Sequence, residues 1–219
     1  MPGYRIKVET IAIGGNNFVI RSLLDREQFA DPLGAAERLG ISSAAWPLFG
    51  QVWPSARVLA AAMLDFDIAG KRILELGSGL ALASLVIHRR HGDITASDHH
   101  PLAQAFLIEN LRLNDMLPLK YAAGDWSQEN AALGVFDLII GSDVLYDRQQ
   151  PAILAAFIDR HSAPGVEVVI VDPDRGNRAD FCQQMSVRGY LHTSLKAASR
   201  QASGERYKGR FLKFRRSDR

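Results

Sequence analysis

The sequence has a single cysteine, Cys182, among its 219 residues. One thiol excludes an internal disulfide and a zinc site with several thiolate ligands, so we expect the reducing setting of the cytoplasm. No apolar run approaches the roughly 18 residues of a membrane-spanning helix, and we expect no membrane partner. Charged residues begin at Arg5, which is not the pattern of a secretory signal peptide.

Metal-ligating clusters are also missing from the sequence. The six histidines are scattered without the spacing of metal ligands, and we expect no metal centre. His99 and His100, which follow Asp98, are expected at a solvated helix start, the alternative being that they reach a ligand beside that acid. The composition, 47% apolar and 23% charged, is that of a folded globular protein and excludes a disordered chain.

Basic charge is concentrated at one end of the chain. Residues 204–219 contain seven Lys or Arg and two acidic residues, whereas acidic residues outnumber basic ones before position 204. We expect a solvated edge strand protected by charge. The alternative is a contact surface for an acidic protein or a nucleic acid, but a nucleic-acid partner is not expected because no uniformly basic face is visible.

Residues 1–50 are predicted to form an extension of a main domain that spans residues 51–219. Strands at 5–13 and 18–24 are joined across residues 14–17 (Gly-Gly-Asn-Asn), a strong hairpin signal. A short helix over about 32–39 would begin at Asp31 as its N-cap. Ser55 can cap a further helix that runs to about Leu64.

From residue 71 onward, short apolar runs alternate with helical stretches, which predicts an α/β fold with a mostly parallel sheet. Strands are predicted at 73–76, 94–97, 119–121, 136–140 and 166–171, and helices at about 80–90, 101–113, 149–161 and 177–187. Two further strands, at about 189–196 and 206–214, have no helix between them and should form an antiparallel hairpin. The fold class is therefore a doubly wound, seven-stranded, mostly parallel sheet with an antiparallel C-terminal hairpin and a small N-terminal hairpin and helix extension.

The first strand of this pattern leads into a glycine loop, residues 75–81 (Glu-Leu-Gly-Ser-Gly-Leu-Ala). Glycine permits a sharp strand-to-helix turn and a close approach of a ligand to the backbone. The dinucleotide fingerprint would place a third glycine where this chain has Leu82, so the loop alone is weak evidence. Asp98 lies 21 residues after Gly77 at the tip of the second strand, where an acid can accept hydrogen bonds from both ribose hydroxyls.

A third element, Gly124-Asp125-Trp126, closes the third strand. Its carboxylate can accept from an exocyclic amine, and its indole can border a purine. Because the carboxyl ends of parallel strands share one edge of the sheet, the three elements together predict an adenosine site. NAD, FAD, ATP and S-adenosylmethionine all remain open, although no phosphate-binding Gly-Lys-Ser/Thr follows the glycines and the expected second half of a dehydrogenase is missing.

These segments resemble the seven-β-strand S-adenosylmethionine-dependent methyltransferases. Within that group, residues 136–147 (Phe-Asp-Leu-Ile-Ile-Gly-Ser-Asp-Val-Leu-Tyr-Asp) are similar to the family-16 lysine methyltransferases, with their acidic-x-x-aromatic motif after the fourth strand. Residues 52–55 and 172–176 also resemble segments of that family, the latter in electron-transfer-flavoprotein β-subunit lysine methyltransferases and bacterial nicotinamide N-methylase-like proteins. One departure is Ala81, which replaces the family's third glycine.

The resemblance implies the cofactor S-adenosyl-L-methionine, the product S-adenosyl-L-homocysteine and a protein substrate with an accessible lysine. The implied cofactor-binding residues are Trp53, Glu75, Gly77, Ser78, Gly79, Asp98, Asp125, Trp126 and Ser142. Gly77 and Gly79 would back the methionine portion, Glu75 would anchor the loop or the amino group through water, and Trp53 would close over the methionine side. Asp98 would hold the ribose, and Asp125 with Trp126 would frame the adenine.

Asp143 and Tyr146 are the implied catalytic residues, and both would face the incoming amine. Methyl transfer from a sulfonium is an in-line displacement that requires alignment and exclusion of water. A lysine amine must lose its proton first, and a carboxylate beside it raises its pKa, so Asp143 is expected to orient the substrate rather than deprotonate it. Arg175 is expected either to bind a substrate carboxylate or to pair with Asp172 or Asp174.

Two other functions remain open at this stage. A small-molecule N-methyltransferase would share the cofactor site but close its acceptor pocket over a compact heteroaromatic ring such as nicotinamide. In a non-catalytic adenosine-binding module, the pair of Asp143 and Tyr146 would have no role.

Overall fold

The structure, a computed structural model, describes residues 3–197, 204 and 206–216. Its strands are β1 (Ile6–Ile13), β2 (Asn16–Leu23), β3 (Arg72–Leu76), β4 (Asp93–Asp98), β5 (Lys120–Ala123), β6 (Phe136–Ser142), β7 (Ser162–Asp172), β8 (Tyr190–Lys196) and β9 (Arg210–Arg216). Its α-helices are α1 (Ala35–Arg38), α2 (Pro54–Ala62), α3 (Leu82–Arg89), α4 (Ala103–Leu113), α5 (Gln150–Arg160) and α6 (Arg178–Val187). Short 3₁₀ helices span Trp46–Gly50 and Ala131–Leu133.

Seven strands form one sheet in the order β5-β4-β3-β6-β7-β9-β8. The first five are parallel, and β9 pairs antiparallel with both β7 and β8. This confirms the predicted α/β class, the parallel sheet and the antiparallel C-terminal hairpin. Strand order reverses between β3 and β6, and such a reversal opens a crevice at the carboxyl ends of the two strands.

The sheet separates two apolar cores, as the period of two along each strand requires. Ile73 of β3 packs with α2, α3 and α4, whereas Leu74 and Leu76 pack with α5 and α6. Both faces are therefore covered, which explains why the parallel strands are continuous apolar runs. The rigid sheet holds its strand ends in fixed positions relative to one another.

The N-terminal hairpin turns through two residues, Gly14 and Gly15, with φ of 52° and 82°. Positive φ at both positions suits glycine and matches the twist of a tight hairpin. The hairpin is confirmed, but β2 begins at Asn16 rather than at residue 18. The side-chain oxygens of Asn110 on α4 and of Asn114, which caps the end of α4, accept hydrogen bonds from the backbone of β2 at 2.8 and 2.9 Å. A boundary between residues 50 and 51 stays a prediction.

Two predicted helix starts are wrong in detail. α1 begins at Ala35 after a left-handed Gly34, and Asp31 instead accepts a hydrogen bond from the Glu37 N–H at 2.9 Å. α2 begins at Pro54, where the fixed φ of proline suits the first helical turn. The Ser55 hydroxyl therefore does not cap the helix and lies 2.7 Å from the Tyr207 hydroxyl.

The predicted edge position of the basic C-terminal segment is also wrong. β9 lies inside the sheet between β7 and β8, and β8 is the edge strand. Alternation makes this possible, since Leu212 and Phe214 are buried while Lys213 and Arg215 are exposed. Residues 205 and 217–219 lie outside the described residues, and a contact surface in this segment stays a prediction. In the described part of the chain, the helices are all too short to cross a membrane.

Candidate active site

The carboxyl ends of β3, β4, β5 and β6 surround a cavity of about 800 Å³. Ten of the eleven residues predicted for the site line it: Trp53, Gly77, Ser78, Gly79, Asp98, Asp125, Trp126, Ser142, Asp143 and Tyr146. Glu75 is the exception. Segments from positions 39–53, 77–82, 98–100, 124–127 and 142–153 thus meet at one place although they are far apart in sequence.

The glycine loop is shaped by its backbone conformation and by close packing. Gly77 and Gly79 have φ of 56° and 52°, in the left-handed region that glycine tolerates best. A Cβ at Gly79 would lie 2.8 Å from the carbonyl oxygen of Phe49, and a Cβ at Gly77 would lie 2.9 Å from a methyl of Val144. Both glycines are therefore required by the packing of the protein itself, before any ligand is considered.

Ala81 also lies in the left-handed region, with φ of 58°, immediately before α3. This is the position at which the resemblance places a third glycine. An alanine in this conformation brings its Cβ close to the following carbonyl, which costs roughly 1–2 kcal/mol. The departure from the family pattern is therefore a source of local strain in this loop.

Asp98 ties β4 to the glycine loop. Its carboxylate accepts hydrogen bonds from the backbone N–H of Gly79 at 2.7 Å and of His100 at 2.8 Å. Burial raises the pKa of this carboxyl, while the two backbone donors oppose that shift. The acid predicted to hold a ribose therefore also holds the loop that would carry the rest of the ligand.

Glu75 lies beneath the loop rather than in the cavity. The backbone N–H and the hydroxyl of Ser84 both donate to one of its carboxylate oxygens, the former at 2.8 Å. Burial raises the pKa of Glu75 to about 7. Of its two predicted roles, only the anchoring of the loop to α3 corresponds to a contact present here.

His100 is buried and not solvated as expected. Its ring stacks on Phe49 with the centroids 3.7 Å apart, and its Nδ1 accepts a hydrogen bond from the Leu102 N–H. Burial lowers the pKa of His100 to about 3, so the ring is neutral at pH 7. His100 and Phe49 both line the cavity, and no spacing signal in the sequence joins them.

The adenine-side residues lie at the end of β5. The Asp125 carboxylate accepts hydrogen bonds from the backbone N–H and the hydroxyl of Ser127, at 2.9 and 2.6 Å, which shapes the turn. The Trp126 ring reaches toward Gly77, where its nearest carbon would be 3.5 Å from an added Cβ. The indole thus forms a wall beside the glycine loop.

Arg175 is the residue whose partner the sequence left open. Its guanidinium binds both oxygens of Asp143, at 2.7 and 3.1 Å. Asp172 accepts from the backbone N–H of Asp174 and Arg175 instead, and Asp174 pairs with Arg178 at 3.1 Å. Neither predicted carboxylate is therefore paired with the Arg175 guanidinium, and the 32-residue separation from Asp143 gives no local signal.

A second cavity of about 600 Å³ adjoins the first. The two share Trp53, Asp143 and Arg175 in their linings. The Trp53 indole is held by a hydrogen bond from its N–H to the Leu48 carbonyl at 2.8 Å. Tyr146 lines the first cavity and remains 54% exposed. Asp143 thus lies where the two cavities meet.

The lysine methyltransferase family matches residues 38–187 of the sequence. The chain belongs to this family. Protein N-lysine methyltransferase METTL21A of Danio rerio is 30% identical over 144 residues, which cover 62% of this chain and 62% of that protein. A histone-arginine methyltransferase of Rattus norvegicus is 28% identical over 103 residues, 44% of this chain and 46% of that protein.

The chain spans less than two thirds of the length of these curated relatives. Among solved structures, a methyltransferase from Pyrococcus furiosus has a TM-score of 0.59 at 18% identity and covers 83% of this chain and 97% of that one. At this identity the likeness shows the fold alone. Family membership confirms the resemblance drawn from the motifs of residues 52–176.

Proposed function

We propose that this protein transfers a methyl group from S-adenosylmethionine to the ε-amine of a lysine in a protein substrate and releases S-adenosylhomocysteine. The observation that carries the proposal is the position of Asp143, where the cavity at the strand ends meets a second cavity. Membership of the lysine methyltransferase family supports it. We propose the cytoplasm as the site of action, consistent with the single cysteine.

The residues present fit the proposed cofactor. The first cavity, at about 800 Å³, is within the range of small-molecule sites. Its acidic residues suit a cationic sulfonium, and the buried Ser78 hydroxyl has no hydrogen-bond partner among the residues that the structure describes. Asp98 would hold the ribose, Asp125 and Trp126 would frame the adenine, and residues 77–79 with Trp53 would surround the methionine portion. Ser142 and Asp143 would lie nearest the donor carbon.

When bound, S-adenosylmethionine supplies an electrophilic methyl carbon attached to a sulfonium. The task of the protein is alignment and exclusion of water. A lysine amine with a pKa near 10.4 must be neutral to attack, and reaching that form at pH 7.4 costs about 4 kcal/mol. Desolvation in the cavity and the nearby sulfonium charge both lower the pKa of the amine. Asp143 and Tyr146 would orient the nitrogen.

The second cavity offers a path for the acceptor. Trp53, Pro54 and Pro173 give it apolar surface, Arg206 and Lys208 also line it, and it shares Asp143 with the first cavity. An extended lysine side chain has a long apolar stem and a polar tip, which matches apolar surface beside a carboxylate. A protein segment on the surface could thus reach the donor carbon without entering the first cavity.

Incubation with methyl-labelled S-adenosylmethionine and a whole-cell lysate tests the proposal. We expect label in the protein fraction and, after acid hydrolysis, in methyllysine. The matched control is Asp143→Ala, which should lose the labelling but still bind S-adenosylhomocysteine.

Other distributions of label would overturn the proposal. Methylarginine in the hydrolysate would point to the chemistry named for the rat relative. Label in nicotinamide or another small amine would identify a small-molecule methyltransferase. Tight cofactor binding with no label in any fraction would leave a binding module.

A further inference from the structure

We propose that Arg175 is a positioning residue that neutralises Asp143, so that the acceptor amine can lose its proton beside that carboxylate. This inference rests on the proposed function. The sequence motif supplies an acid at the acceptor position, and that acid alone would favour the charged, unreactive form of the amine. The structure adds a cation that the motif does not contain.

The ion pair between Asp143 and Arg175 has two-point geometry, and its carboxylate is shielded from water. Both guanidinium contacts are within 3.1 Å, and the geometry is the two-point fork that arginine forms with a carboxylate. The Asp143 side chain is only 10% exposed, whereas that of Arg175 is 43% exposed. The carboxylate is therefore shielded from water and depends on the protein for its countercharge.

The end of β7 holds both partners. The Val171 carbonyl accepts the backbone N–H of Asp143 at 2.9 Å, which fixes this residue in a left-handed conformation with φ of 56°. The next residue, Asp172, accepts the backbone N–H of Arg175 at 2.9 Å. Two consecutive residues of one strand thus hold the backbones of Asp143 and Arg175 in place beside each other.

The electrostatic consequence concerns the acceptor. An opposite charge within about 4–6 Å shifts a pKa by roughly 1–3 units toward the charged form. An unpaired Asp143 would therefore reduce the neutral fraction of a nearby lysine amine by about tenfold to a thousandfold. A guanidinium bound to both oxygens cancels most of that field, while a free oxygen lone pair can still accept from the amine.

Other charged or titratable groups in this region do not replace Arg175 in the described part of the chain. Asp174 is occupied by Arg178. Burial raises the pKa of Tyr207 to about 12, and burial also raises the pKa of Tyr146, so both are neutral. Asp172 is buried and burial raises its pKa, and Asp98 and Asp147 lie on the cofactor side. Arg206 and Lys208 line the second cavity, but among the described residues the ion pair of Asp143 is with Arg175 and not with either of them.

The acceptor amine loses its proton before the methyl group is transferred. The amine gives its proton to water, and its nitrogen lone pair then forms the bond to the methyl carbon. The bond between that carbon and sulfur breaks, and its electron pair stays on sulfur as a neutral thioether. Arg175 acts only on the loss of the proton from the amine, so its effect on the rate should depend on pH.

The competing idea is that the substrate lysine displaces Arg175 from Asp143. In that case Arg175 is an obstacle, and its removal should tighten substrate binding and raise the rate. In the proposed role, its removal should slow the reaction at neutral pH. The two ideas predict changes of opposite sign.

The experiment compares Arg175→Met, Arg175→Lys and the control Arg178→Met with the unmodified protein, as single-turnover methylation rates between pH 6.5 and 10. For Arg175→Met we expect at least a tenfold lower rate at pH 7.5, recovery above pH 9, and a rising limb shifted up by about one unit or more. The rate of Arg175→Lys at pH 7.5 should lie between those of Arg175→Met and the unmodified protein. Arg178→Met should keep the pH profile of the unmodified protein. Calorimetric affinity for S-adenosylhomocysteine should change less than twofold, which verifies folding.

A lower rate at every pH without a shift of the profile, or a higher rate at pH 7.5, overturns this inference and leaves the proposed function intact. Absence of protein labelling by the unmodified protein overturns both. If Arg175→Met fails to bind S-adenosylhomocysteine, the uncharged variant Arg175→Gln decides: an unshifted profile for that variant contradicts the proposal, and a shifted one supports it.

Discussion

Two carboxylates, Asp98 at the end of β4 and Asp143 just after β6, lie on either side of β3 at the same edge of the sheet but have different partners. Asp98 is bound by backbone N–H groups of Gly79 and His100, close to it in the βα unit. Asp143 is bound by the side chain of Arg175, 32 residues later. The cofactor side is thus organised by local backbone geometry, and the acceptor side by a side chain from another loop.

The largest expected effect separates the two acids by function. Asp98→Ala should weaken S-adenosylmethionine binding by at least a hundredfold, because it removes the ribose acceptor and leaves two backbone donors unpaired. Asp143→Ala should abolish turnover with little loss of cofactor affinity. Calorimetry and methylation assays on both variants test this, and the reverse pattern would contradict the assignment of the two sides.

A second test concerns the acid beneath the loop. The folded pKa of Glu75 is about 7 against an ordinary 4.5, so the folded protein binds more protons than the unfolded chain between these values. Stability should therefore fall as pH rises from about 4.5 to 7, by up to about 3 kcal/mol, and stay lower above that window. Glu75→Gln should flatten this dependence and be the more stable form at pH 8. Thermal melts from pH 4.5 to 8.5 measure it, and equal slopes for both proteins would refute it.

A third test examines the close packing of the loop. Gly79→Ala would place a Cβ 2.8 Å from the Phe49 carbonyl at a positive φ. We expect a loss of about 2 kcal/mol of unfolding free energy and weaker cofactor binding. Gly176→Ala is the matched control, because no atom of the described residues lies within 4 Å of its added Cβ and its φ is not positive. Denaturant unfolding of the two variants should differ, and equal stability would count against the packing argument.

The smallest expected effect is a gain. Ala81→Gly should relieve the left-handed alanine and stabilise the protein by up to about 1 kcal/mol, since glycine adopts this φ without steric cost. The methyl group of Ala81 is buried, so part of the gain is offset by lost apolar contact. Unfolding measured beside the unmodified protein checks the sign, and a clear destabilisation would show that the contact outweighs the strain.

Much of the fold could be predicted because its signals are local. Alternating strands and helices, the glycine loop and the hairpin turn each depend on residues within about a dozen positions of one another. The place of β9 in the sheet could not be predicted, because alternation of Leu212 and Phe214 with charged residues suits an edge strand and an inner strand equally. Only the antiparallel pairing with both β7 and β8 decides between them.

For the candidate site, too, local features could be predicted and contacts between distant segments could not. By itself the sequence determined the parallel strands, the family and the set of acids and glycines at the strand ends, because periodicity and βα turns are properties of short segments. Only the tertiary structure decided that Arg175 faces Asp143, that His100 is buried on Phe49, and that Glu75 lies behind the loop. Side-chain partners across loops depend on how distant segments pack, and no local spacing encodes that.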